Sequence, residues 1–277
     1  MASTRKRADS NPLKAVYAQK SRAVCSAPLF RYLKRQRDIF DLFFFVVQLA
    51  DGADKSRLIA ARALAASGNE KDIKQLADIE ADPKPALRHL QHHARLQVEN
   101  LLIRSVDNFL SYLSDAIHIA MENKPELLRS KEEISLEELL DFNSFDDLIS
   151  NLIDRKVTRL AYQGIDGLSE FIETRLGMKL CRDEQEQVLL TVAVELRNIY
   201  THNRGLVSDI TLKRLQKIEH GFEFKKGRSY HADFDELAEF SNNMALVANR
   251  LDTNLSKKFN LKRNAYSTHE RRKTQSA

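Results

Sequence analysis

The chain has 277 residues, enough for one large domain or two modest ones. It is 43% hydrophobic and 30% charged, and its 8 glycines and 5 prolines are too few turn residues for an all-β fold. A net charge of +5 hides a polarity: residues 1–37 hold ten Lys/Arg against one acid and residues 257–277 hold seven against one, which leaves 38–256 at −10. Basic ends of this kind hold polyanions by counterion release, or simply keep an acidic body soluble.

Residues 1–27 lack apolar periodicity, which predicts a disordered basic tail. The start of the tail loosely fits an organellar transit peptide, but without a following apolar core it is not a secretory signal. A plain tail on a cytoplasmic protein is the expectation. Cys25 and Cys181 form no C-x-x-C, so a disulfide framework and a Cys-type zinc site are excluded.

From Pro28 the pattern turns helical, with Leu29, Leu33, Ile39, Leu42, Phe43 and Val46 at helical spacings. The longest apolar run, residues 39–50, contains Asp41 and falls short of the ~20 residues that span a bilayer. It predicts a buried helix and no membrane partner. Shorter helices follow over 55–66 and 70–80. The proline-rich stretch 81–87 predicts a subdomain boundary, separating an N-terminal helical region, 28–82, from a bundle over 84–256.

A continuous apolar stripe predicts one long helix over 86–122, ended by Pro125. Capping-box signals at Ser135 and Ser144 open further elements, the second a helix over 145–161. Gly164 and Gly167 bracket a turn before a helix to about 176. Asp183 is the expected N-cap of the next helix, which Asn203-Arg204-Gly205 stops at about 202. A short helix over 209–218, a small hairpin over 222–231 centred on Lys226-Gly227, and a closing helix over 233–255 complete the chain. The fold class is all-α: an antiparallel helical bundle with a small β-hairpin and disordered basic termini.

The helix over 183–202 has two faces. Val188, Val192, Leu196 and Ile199, flanked by Leu189, Ala193 and Tyr200, make a core face. Opposite lie Leu190, Val194, Arg197, Asn198, Thr201 and His202. The two aliphatic residues there call for a second contact surface, either another helix or another copy of the chain. Arg197 and His202, five positions apart, stand roughly 140° from each other on a regular helix, whereas Asn198 and His202 share a side. Two copies meeting about a two-fold axis bring two arginines and two histidines into one cleft.

The stretch RNIYTH, late in a bundle helix, resembles the signature of the HEPN domain superfamily: an arginine, a polar residue, and a histidine four to six positions after the arginine. The following NRGLVSDI, the FEFKKGRSY segment and the closing helix are also similar to HEPN proteins of the ribonuclease type, so the resemblance covers 84–256 and leaves 28–82 unmatched. It implies a metal-independent endoribonuclease, active as a homodimer, that needs no cofactor. In that role His202 is the acid/base group, Arg197 the phosphate contact, Asn198 the accompanying polar residue, and Arg204 a helper on the RNA backbone. RNA carries its own nucleophile in the 2′-hydroxyl. An imidazole can move the proton, and a guanidinium can grip the phosphate. The products expected are a 2′,3′-cyclic phosphate and a 5′-hydroxyl. A toxin or phage-defence role, restrained by a protein regulator or antitoxin, belongs to the same analogy. The alternative is a non-catalytic dimerisation or RNA- or protein-binding module, in which Arg197 and His202 merely complement the helix dipole.

His89, His92 and His93 lie at i, i+3 and i+4, which reads as a solvated or RNA-facing patch ahead of a metal site, since no H-E-x-x-H or paired Cys accompanies them. His220 and His231 flank the expected hairpin. The acidic clusters fit helix starts. Walker A, G-x-G-x-x-G and G-x-S-x-G patterns are absent, which argues against nucleotide-driven, dehydrogenase and hydrolase-elbow chemistry.

Overall fold

The computed structural model describes residues 22–129, 135–216 and 218–267, so most of both basic ends lies outside the described residues. Strand β1 (Arg22–Cys25) leads into the long helix α1 (Ala27–Ala65), then α2 (Glu70–Ala81) and α3 (Pro85–His92). The central helix α4 (Ala94–Asn123) is followed by a 3₁₀ turn, the short α5 (Leu136–Leu140), α6 (Phe145–Tyr162) and α7 (Gly164–Thr174). The motif helix α8 (Glu184–Asn203), the short α9 (Asp209–Leu215), α10 (Phe234–Phe259) and strand β2 (Asn264–Ser267) close the chain. The described residues are mostly helical, with one small antiparallel sheet among them.

Long-range hydrogen bonds fix how the four main helices run. Gln36 Nε2 donates to Ser105 Oγ at 2.8 Å and Arg31 to Asp115 at 2.9 Å, so α1 descends along α4. The Tyr112 hydroxyl donates to the Ala248 carbonyl at 2.9 Å and His231, just before α10, lies 3.0 Å from Glu99 near the start of α4, so these two helices run in the same direction. Asn243 Nδ2 on α10 donates to the Glu186 carbonyl at 3.0 Å, while the Ala232 N–H just before α10 reaches the Tyr200 hydroxyl near the far end of α8 at 3.0 Å. Helices α4 and α10 therefore run one way, and α1 and α8 the other. Their shared core is apolar: Leu102, Val106, Phe109, Leu113, Val192, Leu196, Phe240, Met244 and Val247 are fully buried.

Several expectations change in three dimensions. The helical pattern from Pro28 and the shorter helix expected over 55–66 are one helix: α1 runs 39 residues, about 58 Å, straight through Gly52. One glycine costs a helix only about 1 kcal/mol, and the turn is held from outside. The buried Asp54 carboxylate accepts the Ala86 and Leu87 N–H groups, each at 3.0 Å, capping α3 from across the chain. The run 39–50 is not a buried helix. Leu42, Phe45, Val46 and Leu49, at i, i+3, i+4 and i+7, are 65, 55, 39 and 56% exposed. The first half of α1 belongs to the common core, since Leu29, Tyr32, Leu33 and Phe40 join its buried cluster.

The helix expected over 86–122 is interrupted at His93, whose ring meets those of His89 and His92 edge-on, both at 5.0 Å. Gly167 lies inside α7 rather than in a turn, packed against the Gln163 side chain. Residues 22–27, expected in the tail, instead form β1 and the start of α1, and β1 pairs antiparallel with β2, Cys25 opposite Asn264 and Val24 opposite Ala265. Ser26 ties this junction to α10: its hydroxyl donates to Asp252 and also caps α1 by accepting the Leu29 N–H at 3.3 Å. The capping-box reading at 135–138 rests on the Glu138 side chain, which lies outside the described residues.

The hairpin expected over 222–231 is absent as well. Its second half pairs with the residues that leave α8. Val207 N–H donates to Arg228 O at 3.1 Å, Gly227 N–H to Val207 O at 2.9 Å and Tyr230 N–H to Gly205 O at 3.1 Å. The alternation along 222–231 reflects burial rather than self-pairing: Phe222 and Phe224 turn inward against the core and each other, 6.4 Å between rings.

Candidate functional site

Helix α8 begins as expected. Asp183 accepts the Glu186 N–H at 3.0 Å, capping the first turn. Glu186 then does more than close the turn. Its carboxylate accepts the Arg182 N–H at 2.7 Å and both ends of the Arg250 guanidinium at 2.7 and 2.6 Å. Burial pushes the Glu186 carboxyl up, but the Arg250 fork and the Arg182 N–H outweigh it and hold it below the ordinary value. Glu195, also buried, accepts from Arg214 at 3.0 Å and so fixes α9. Neither role was foreseen. A buried acid on an apolar face is the only sequence signal, and it does not name its partner.

Leu190 and Val194 are 3 and 5% exposed, so neighbouring parts of the same chain cover them. They therefore give no support to a contact with another copy. Beyond them the helix surface opens. Arg197 is partly buried, and its Nε donates to Asp107 Oδ1 on α4 at 2.8 Å. Its Nη1 leans on Asn198 Oδ1 at 3.3 Å, and Nη2 donates to no described residue. Arg197 and Asn198 are thus brought together. His202 is exposed and makes no hydrogen bond or ion pair with a described residue, Arg197 included.

The stop after His202 is a strained turn. Arg204 (φ 52°) and Gly205 (φ +80°) both take left-handed backbone, and Gly205 N–H closes on Ile199 O at 2.9 Å. The Asn203 side-chain amide donates to the Leu206 carbonyl. Gly205 is buried under the Tyr200 ring, where an added Cβ would sit 3.7 Å from it. Burial raises the Tyr200 hydroxyl above its ordinary value, so it stays a neutral acceptor for Ala232 N–H. This knot leaves His202 and the exposed Arg204 side chain on the outside of the turn.

The other candidates separate. His89, His92 and His93 are exposed, and among the described residues no group of three or more His, Cys, Asp or Glu is placed to hold a metal ion. His231 Nδ1 lies 3.0 Å from Glu99 Oε1 on α4, and His220 packs against Phe222 and Phe224. Both cysteines are free thiols, and burial pushes each up to about 11, unsuited to nucleophilic work near neutrality. Among the described residues no helix is long and apolar enough to cross a membrane.

Fold and site together define a mostly helical protein with a half-open Arg–Asn pair beside an exposed histidine at one helix end. No protein-family model, curated protein or solved structure matches the chain.

Proposed function

We propose that the chain is a HEPN-like endoribonuclease that acts as a homodimer and cleaves RNA through its own 2′-hydroxyl without a metal. The observation that carries the reading is the open end of α8, where a guanidinium with nitrogen donors to spare and an exposed imidazole flank one turn. Arg197 holds a phosphate with the donors that Asp107 leaves over, Asn198 steadies it, and His202 moves the proton. Arg204, outside the strained turn, contacts the RNA backbone.

A second protomer brings the opposed arginine and histidine faces together. Its support is the stripe Leu42, Phe45, Val46 and Leu49 on α1. A run of clustered exposed apolar side chains fits an interface, and identical stripes can cover each other about a two-fold axis. The stripe lies towards the same end of the molecule as the motif: Phe43 stacks on Phe234 at 5.6 Å, and Ala232, two residues earlier, bonds Tyr200.

Purified protein incubated with RNA in EDTA is expected to yield 2′,3′-cyclic phosphate and 5′-hydroxyl ends. Arg197→Ala and His202→Ala should each reduce cleavage at least a hundredfold, in line with loss of an acid/base or phosphate-stabilising group. Phe45→Lys/Leu49→Lys should shift the protein to monomer in light scattering and abolish cleavage. Undiminished cleavage by both site variants ends the assignment.

The ion pair between Arg197 and Asp107 favours a second reading, a non-catalytic RNA- or protein-binding module, because the same contact suffices to fasten α8 to α4. Intact RNA after incubation with a stable dimer supports that reading.

A further inference from the structure

Helix geometry places Arg31 and Arg35 one turn apart on α1, and Arg104, Asp107, Asn108 and Ser111 along one strip of α4. The two rows face each other across a groove of about 360 Å³. Its acids are already engaged: Asp115 by Arg31 at 2.9 Å, and Asp107 by Arg197 at 2.8 Å. Arg35 and Arg104 are exposed and make no hydrogen bond or ion pair with a described residue. Both guanidiniums stand open to solvent in a concave groove with no described carboxylate bonded to them, so together they form a local positive patch that attracts an anion.

We infer that this groove between α1 and α4 is a binding track for the phosphodiester backbone of an RNA strand, leading to Arg197. The inference rests on the proposed ribonuclease reading for the identity of the anion; the groove itself is independent of it. Asp107 is the link. It lines the groove on one side and holds Arg197 on the other, so a strand held by Arg35 and Arg104 passes within one side chain of the motif arginine. Planar guanidiniums suit the role twice over, by forking onto phosphate oxygens and by stacking on exposed bases. None of these arginines belongs to the RNIYTH motif, and Arg31 and Arg35 come from the N-terminal region that the resemblance leaves unmatched.

The test measures binding apart from cleavage. In a His202→Ala background, anisotropy of a fluorescein-labelled single-stranded RNA is followed from about 50 to 200 mM salt. Arg35→Glu/Arg104→Glu should weaken binding on the order of tenfold. It should also flatten the log–log salt slope by about 1.4, the contribution of two contacts on a single strand. Arg35→Gln/Arg104→Gln should give the same slope change with a smaller loss. Lys71→Glu/Lys74→Glu on α2 makes the same net charge change away from the groove and should leave affinity within about twofold.

Equal losses in the groove and α2 variants, no loss in the groove variants, or no RNA binding by the parent protein each overturn the inference. Displacement by polyglutamate as readily as by unlabelled RNA overturns the RNA assignment in favour of an acidic protein partner. The two readings fail separately. Binding lost in the groove variant while the wild-type chain cuts nothing keeps the track and removes the nuclease. Cleavage that depends on His202 but not on Arg35 and Arg104 keeps the nuclease and removes the track.

Discussion

Two arginines at opposite ends of α8, Arg250 and Arg197, each bridge this helix and a neighbour through a carboxylate. They are equally open, with side chains 27 and 26% exposed, but their partners differ: Glu186 is 9% exposed and Asp107 43%. At the first end the guanidinium forks onto both carboxylate oxygens and gives a third bond to Leu180 O at 2.9 Å. At the second it gives one bond to a carboxylate and one to its neighbouring amide. At the first end both carboxylate oxygens are held and nearly out of water, which ties the arginine down, whereas at the second the carboxylate is open to water and the arginine is held by a single carboxylate bond. One helix thus carries a structural clamp at its start and a reactive edge at its end.

The largest contrast lies in stability. Glu186→Gln should cost about 3 kcal/mol, because it strands a partly buried guanidinium, while Asp107→Asn should cost no more than about 1 kcal/mol. Thermal denaturation of the two variants measures the difference, and equal costs would erase the distinction between clamp and edge. The clamp should also respond to acid. The folded Glu186 carboxyl sits below its ordinary value of 4.5, so its contribution is complete above that value and fades as pH falls through the folded one. The melting-temperature gap between wild type and Glu186→Gln should therefore close in acid and stay constant from pH 6 to 8.

The strained stop comes next. Gly205→Ala forces a Cβ into left-handed backbone and should cost about 1–2 kcal/mol, despite the ordinary 3.7 Å contact with Tyr200. It should also displace the 227–230 segment, readable as faster amide exchange at Val207 and Tyr230. The smallest effect belongs to His202→Ala. With no partner among the described residues, it should shift stability by less than about 0.5 kcal/mol while abolishing cleavage. A large loss of stability would instead make His202 a structural residue.

The parts of the fold legible in the sequence are those that local chemistry decides. Asp183 and Ser144 cap the helices they precede because each side chain reaches an N–H three residues on, at 3.0 and 3.1 Å. The core face of α8 follows from its helical period, and Asn203-Arg204-Gly205 stops the helix because left-handed backbone breaks the ladder. Asn198 and His202 share a side of the helix as their spacing requires, but the hydrogen bond Asn198 accepts comes from Arg197. Illegible were the contacts whose two halves lie far apart along the chain: Glu186 with Arg250, Glu195 with Arg214, Asp54 on the start of α3, and β1 with β2. The expected hairpin failed because alternation along 222–231 says which residues point inward but not which strand lies alongside.

By itself, the sequence determined that the chain is mostly helical, that Asp183 and Ser144 start helices and Asn203-Arg204-Gly205 stops one, and that an arginine, an amide and an imidazole crowd the end of one helix. Only the tertiary structure decided that Leu190 and Val194 are covered from within, that Leu42, Phe45, Val46 and Leu49 are not, and that Asp107 stands between Arg197 and a groove of other arginines. The reason is range: helix periods and caps act over three or four residues, while burial and ion pairing are set by whichever distant segment the packed chain happens to lay alongside.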